Sequence, residues 1–329
     1  MYLTCFPRVE LAILPTALQP LPRFSAAIGG KVEIWIKRDD NTGLALGGNK
    51  ARKLEFLLAD ALAQGCDTLI TAGGPQSNHC RMTAAAAAKV GLCCHLVFNS
   101  RRFDLDQGNL LLDELLGAVP HFCPGTTDIS REMSIVADEL IAAGHRPYLI
   151  PIGGSTAVGA VGYVAAVREL MQQADEQGAE FAAFVHATGS GGTQAGLVAG
   201  TLLHHLSNEV LGVSVNRLSA VLEPQVKQTL QDFYQLVDVE APAAWPVVVD
   251  DSFVGRGYGL PTEESTAALR LMAKVEGIII DPVYTAKGLA GLIHHVRNGH
   301  WPVGSQILFW HTGGSPALFA EQAFWEVEK

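Results

Sequence analysis

Short runs of strand character alternate with helical runs along nearly the whole chain, and that alternation leaves few folds open. Val32, Ile34 and Ile36 fall on one face of a strand whose other face carries Glu33, Trp35 and Lys37. Leu54, Leu57, Leu58 and Ala61 then recur at i, i+3, i+4 and i+7, the spacing of a helix that buries one stripe. The same reading predicts further strands at 68–71, 93–98, 121–123, 148–152, 181–186, 210–215, 278–280 and 306–310. Between them it predicts helices over 78–90, 110–116, 133–143, 159–173 and 194–204, one opened by Pro261 and Thr262, and one after Tyr284. Thr262 suits an N-cap, and Glu263 and Glu264 sit where the helix dipole favours negative charge. Parallel strands need helical crossovers, so the alternation implies an α/β fold with mostly parallel sheets covered on both faces. No internal repeat or low-complexity linker interrupts it.

The 329 residues are enough for two domains, and 48% hydrophobic against 17% charged residues is a globular balance. A net charge of −10, with no basic run longer than Arg101-Arg102, leaves no tract to hold a nucleic-acid backbone. No apolar stretch approaches the roughly 18–20 residues of a membrane span. The short apolar run at 11–15 ends on Pro15 and reads as mature protein. Six cysteines without a C-x-x-C spacing point to reduced thiols in a cytoplasmic protein, with Cys66 and Cys123 structural.

Four loops could carry chemistry. Gly47-Gly48-Asn49-Lys50 is followed by Arg52 and Lys53. Burial or neighbouring cations would make Lys50 a carbonyl-trapping nucleophile, and the glycines would let a flat ligand approach. On its own the segment reads as readily as a solvated turn entering a helix. Thr188-Gly-Ser-Gly-Gly-Thr-Gln-Ala-Gly196 follows a buried strand and opens an apolar helix, the setting in which amides cradle a phosphate. Gln194 stands where a dinucleotide motif needs its last glycine, and the next strand ends at Val215-Asn216 without a ribose-binding acid. No G-K-[ST] follows either, so a single phosphate on an aromatic cofactor is the best use of the loop. Gly73-Gly-Pro-Gln-Ser-Asn-His79 could hold a second anion such as a substrate carboxylate, with Gln76, Ser77, Asn78 and His79 as its contacts. His311-Thr-Gly-Gly314 follows an apolar strand and puts Thr312 at a strand's carboxyl end, as a ligand contact or a simple cap. His204-His205 and His294-His295 lack metalloprotease spacing, so no metal is expected, and G-x-S-x-G is absent.

Taken in order, these segments resemble the pyridoxal-phosphate enzymes of the tryptophan synthase β-like fold (fold type II). Within them they resemble the group containing D-cysteine desulfhydrase and 1-aminocyclopropane-1-carboxylate deaminase. The resemblance runs through Ile36-Lys-Arg-Asp-Asp40, Gly47-Gly-Asn-Lys-Ala-Arg-Lys-Leu-Glu55, Pro151-Ile-Gly-Gly-Ser155, Gly159-Ala-Val-Gly-Tyr163, Gly257-Tyr-Gly259 and Asp281-Pro-Val-Tyr-Thr285. It implies two open, twisted, mostly parallel sheets with pyridoxal 5'-phosphate in the cleft between them. A large domain would comprise residues 1–50 plus 165–329, and a small domain residues 51–164. Lys50 would carry the cofactor as a Schiff base. Lys53 and the amides of Gly189, Ser190, Gly191, Gly192 and Thr193 would take its phosphate, Asn78 its phenolic oxygen and Thr312 its ring nitrogen. Ser77 would hold the substrate carboxylate near the α-carbon, Tyr258 and Tyr284 match the two active-site tyrosines, and a homodimer is implied.

Ring-opening deaminases of the group typically have Glu and Leu where this chain has Thr285 and Thr312. A neutral hydroxyl cannot hold a proton on the ring nitrogen, which weakens the electron sink and suits prompt loss of a β-substituent. The expectation is β-elimination from a small amino acid, with D-cysteine the leading case. Alternatives on the same scaffold are an L-cysteate sulfo-lyase, the cyclopropane deaminase and an amino-acid racemase. A non-catalytic phosphate-binding module is the remaining reading. Between Phe98 and Gly108 the chain is shorter than the Asn- and Tyr-rich stretch usual in desulfhydrases, which bears on the substrate entrance.

Overall fold

A computed structural model describes residues 6–103 and 106–320. In chain order the elements begin β1 (Leu18–Pro20), α1 (Pro22–Ala27), β2 (Glu33–Arg38), α2 (Lys50–Ala63), β3 (Thr68–Gly73), α3 (Asn78–Val90) and β4 (Cys93–Phe98). They continue with α4 (Asn109–Leu115), β5 (Val119–Phe122), α5 (Ile129–Ala142), β6 (Pro147–Ile150), α6 (Ala157–Gln177), β7 (Phe181–Thr188) and α7 (Gly192–Leu203). The last six are β8 (Glu209–Ser214), α8 (Ser219–Leu236), β9 (Val248–Asp250), α9 (Glu263–Glu276), α10 (Thr285–Arg297) and β10 (Gln306–His311).

Two sheets result. Six strands run in the order β1-β2-β10-β7-β8-β9, all parallel except the edge pair β1–β2, and four run parallel as β5-β4-β3-β6. Each sheet is covered on both faces. In the larger, Trp35, Phe184 and Trp310 pack against Tyr163 of α6, Leu197 of α7 and Phe233 of α8. On its opposite face Ile34, Ile36 and Phe309 meet Phe24 of α1, Met272 of α9 and Leu289 of α10. In the smaller, α2 and α3 cover one face and α5 the other. Because Ala160, Val161, Tyr163 and Val164 belong to the core of the larger sheet, we propose that the second domain boundary lies near residue 157, earlier than the sequence-based 165.

Three differences from the sequence reading have physical causes. Residues 278–280 pair with no strand. Ile278 and Ile280 are buried and Ile279 exposed, so the alternation is real, but the segment packs as an extended connector. Helix α8, where the sequence suggested no element, contains Pro224, which removes one helical hydrogen bond and masks the pattern. Lys37, placed on a polar strand face, is fully buried because Glu169 and the Thr16 carbonyl meet its ammonium.

Each sheet has a point where successive strands are added in opposite directions, and ligands bind in the crevice such a point creates. In the smaller sheet β4 and β6 flank β3, which parts the loops after β3 and β6. In the larger, β8 and β10 flank β7, which parts the loops after β7 and β10. Glycine-rich segments occupy these four loops, and Gly47-Gly48 lies in a fifth, between β2 and α2.

Candidate active site

One cavity of about 390 Å³ gathers those loops. Asn49 and Lys50 enter it from the start of α2. Gly73, Gly74, Ser77, Asn78 and His79 come from the β3–α3 turn, and Thr188 to Gly191 with Thr193 from the β7–α7 turn. Tyr258, Tyr284 and Thr312 close it, with Asn99 and Ile129 on the rim of the smaller sheet. Asp104 and Leu105, part of the shortened stretch, lie outside the described residues.

Burial pushes the Lys50 ammonium down to about 8, and Lys53, with which it shares a hydrogen bond, is pushed well down by burial and by Lys50. Lys53 lies just behind the cavity wall and donates to the Gly153 carbonyl at 2.9 Å. Neither amine has a carboxylate partner among the described residues. Gly192 must be glycine here, since a Cβ would stand 2.7 Å from Lys53 Nζ and 2.6 Å from Ser155 Oγ. Ser155 joins the phosphate-type loop, donating to Ser190 Oγ at 2.9 Å and accepting from Gly192 N at 3.1 Å. Asn49 Nδ2 donates to Thr193 Oγ1 at 3.0 Å, tying the Lys50 turn to the start of α7.

Ser77 is the N-cap of α3, its Oγ accepting from Cys80 N at 3.2 Å, and it lines the cavity. His79 is buried and neutral, lowered by burial and then by Lys50 and Lys53, and it bonds Thr71 Oγ1 at 2.9 Å. Gln76 does not line the cavity. Its side chain donates to the Gln107 carbonyl and accepts from Asn109 N, both at 2.9 Å, so it clasps the loop and is turned away from a substrate. Tyr258 and Tyr284 meet hydroxyl to hydroxyl at 2.6 Å. Burial raises both phenols, Tyr258 to about 12, so both are protonated at neutral pH. Thr312 faces the cavity. Thr285 does not: its hydroxyl bonds Asp281 Oδ1 at 2.6 Å.

Three further residues hold this site from outside the cavity. The Asp281 carboxylate accepts from the amides of Val283, Tyr284 and Thr285 at 2.8–2.9 Å and so fixes the start of α10. Lys287 Nζ donates to the carbonyls of Val254 and Gly257 at 2.7 and 2.9 Å, pinning the turn that carries Tyr258. Arg81 bonds the Gly47 carbonyl at 2.7 Å. Arg81 falls one turn after Asn78 on α3, the one spacing signal available.

Residues 9–313 match the family described as pyridoxal-phosphate dependent enzyme. The chain belongs to that family. Two proteins of Klebsiella pneumoniae described as D-cysteine desulfhydrase are each 46% identical over 323 residues, covering 97% of this chain and 97% of theirs. A solved structure titled as an ACC deaminase homologue has a TM-score of 0.89 at 38% identity, covering 97% of this chain and 95% of its own. A pyridoxal 5'-phosphate-dependent aspartate racemase, at 16% identity and a TM-score of 0.66, shares the fold. The site fits the cofactor these enzymes use. Two buried amines that meet no carboxylate among the described residues would be recharged by an incoming anion, and among those residues the Thr188 hydroxyl is buried at the cavity with no partner.

Proposed function

We propose that this pyridoxal-phosphate enzyme eliminates the β-substituent of a small amino acid, with D-cysteine and water giving pyruvate, sulfide and ammonia. The observation that carries the substrate is the 46% identity, over 97% of both lengths, to the two D-cysteine desulfhydrases.

Bound pyridoxal phosphate supplies an electron sink for negative charge at the substrate α-carbon. Lys50 anchors it. Lys53 and the amides from Gly189 to Thr193 take the phosphate, Asn78 the phenolic oxygen and Thr312 the ring nitrogen. The Ser77 hydroxyl and the turn that ends on Asn78 and His79 hold the substrate carboxylate. Lys50 Nζ would take the substrate α-proton, a task suited to an amine whose value is near 8. Tyr284 Oη protonates the departing sulfide and is recharged through Tyr258 Oη, whose residue is 39% exposed at the cavity mouth. The neutral Thr312 hydroxyl favours quick loss of the β-group over a long-lived carbanion. Opening of the cyclopropane substrate is the second reading, supported by the 38% identity to the ACC deaminase homologue.

The test is a substrate panel with sulfide, sulfite, pyruvate and 2-oxobutyrate assayed separately. D-cysteine should give sulfide and pyruvate at the highest efficiency, and Lys50→Ala should abolish both turnover and the cofactor's absorbance band. Highest efficiency on the cyclopropane, with 2-oxobutyrate released, would establish the second reading. Saturating cofactor with no turnover of any substrate would leave a binding module. We also propose a cytoplasmic homodimer. Five free thiols among the described residues, the adjacent Cys93 and Cys94 included, agree with a reducing compartment, and gel filtration with light scattering reads the assembly.

A further inference from the structure

Asn109, at the first position of α4, is fully buried and does not line the active-site cavity. Its side chain is nevertheless saturated. Nδ2 donates to the Gln76 carbonyl at 2.9 Å and to Asn78 Oδ1 at 3.0 Å, while Oδ1 accepts from Arg81 Nη1 at 2.7 Å. A carbonyl only accepts and a guanidinium only donates, so this amide has one orientation. That orientation fixes its neighbour. Asn78 is approached by two donors, Asn109 Nδ2 and Arg81 Nη1 at 3.3 Å, and must turn its oxygen toward them. The Asn78 Nδ2 is then the end offered to the cavity that Asn78 lines.

We propose that Asn109 is a positioning residue that sets the polarity of the Asn78 amide, so that the active site always meets a donor there. The proposal rests on the reading of Asn78 as the partner of the cofactor's phenolic oxygen. A donor at that oxygen favours its anionic form, and an acceptor would favour the protonated one. Asn109 is itself held by Gly108, whose backbone (φ 57°, ψ −123°) is a glycine conformation. A Cβ on Gly108 would stand 2.4 Å from Gln76 Oε1 and 2.8 Å from the Pro316 carbonyl oxygen. The junction at the end of the entrance segment therefore reaches the cofactor through two amides and an arginine.

Asn109→Asp is nearly the same shape, keeps the acceptor for Arg81 and loses both donors. Asn78 should then turn its Nδ2 to the new carboxylate and its oxygen to the cavity. The expected result is a shift of the bound cofactor's absorbance toward the shorter-wavelength, phenol-protonated form, and a rise of about tenfold in the Kd for pyridoxal phosphate. If this variant does not fold, Asn109→Ala, which frees Asn78 without forcing it round, should shift the band in the same direction but less. An unchanged band in the folded variant, alongside a shifted band in Asn78→Ala, would overturn the proposal, as would a raised Kd that tracks a lowered Tm with no spectral change. An unchanged band in Asn78→Ala as well would overturn the reading of Asn78 beneath it.

Discussion

Lys50 is reactive because of where its chain leads it. With its value brought to about 8 by burial, roughly a quarter of the amine is unprotonated at pH 7.5, against roughly one part in a thousand for an ordinary lysine. The rate at which the apoenzyme captures pyridoxal phosphate should therefore rise with pH through about 8 and level off above it, as stopped-flow absorbance would show. An unperturbed lysine would still be climbing at pH 10. The tyrosine pair makes a different prediction. Tyr284→Phe removes the proton donor and should lower kcat on D-cysteine by about 10²-fold or more, with cofactor binding kept. Tyr258→Phe leaves Tyr284 in place but cuts its route to solvent, so its loss should be smaller and greatest at high pH. Lys50 was visible in the sequence as a candidate because it stands beside a glycine pair, whereas the two tyrosines were reached only through the family resemblance. Asn109 and Lys287 were not visible: each is an ordinary polar residue in a helix, and its partners come from distant segments.

Elements aim these side chains. Tyr284 is the residue that caps the start of α10, and the amides of Val283, Tyr284 and Thr285 end on Asp281. Asp281→Ala would leave three buried amides without an acceptor, at about 1–3 kcal/mol each if none finds water. The expected outcome is a fall in Tm together with a drop in kcat like that of Tyr284→Phe. Helix α2 is fixed by charge. Arg52 bonds both oxygens of Asp39 and both of Glu169 at 2.8–2.9 Å, and Tyr163 and Trp310 donate to Asp39 as well. Burial would raise the Asp39 carboxyl, but Arg52 outweighs it and holds the group below its usual value. Its contribution is thus complete above about pH 4 and is lost as the pH falls further. Arg52→Met should cost about 3–5 kcal/mol by leaving that buried acid without its guanidinium, measurable by denaturant titration. The stripe on α8 was present in Leu222, Val226, Leu230 and Phe233, and only Pro224 hid it. The arginine network could not be read, because its members are spread from Thr16 to Trp310.

At the scale of the molecule, two sheets with separate cores meet at one cavity, and the ligand is what both sides bind. Saturating pyridoxal phosphate should raise Tm by several degrees over the apoenzyme, since a ligand at 100 times its Kd adds about 2.7 kcal/mol. In Lys53→Met, which removes a buried amine from the phosphate side, that increment should shrink. The α/β class and the parallel sheets follow from periodicity alone, because strands buried on both faces need helical crossovers. Their order does not, since the placement of β10 between β2 and β7 depends on contacts between segments hundreds of residues apart. Gly108 has a practical meaning for anyone redesigning this enzyme. Libraries that vary the length or composition of the segment from Asn99 to Gln107 can search for new substrates, provided every member ends on the Gly-Asn pair. A clone that loses that pair would be scored as a failed specificity when its fault is a reversed amide.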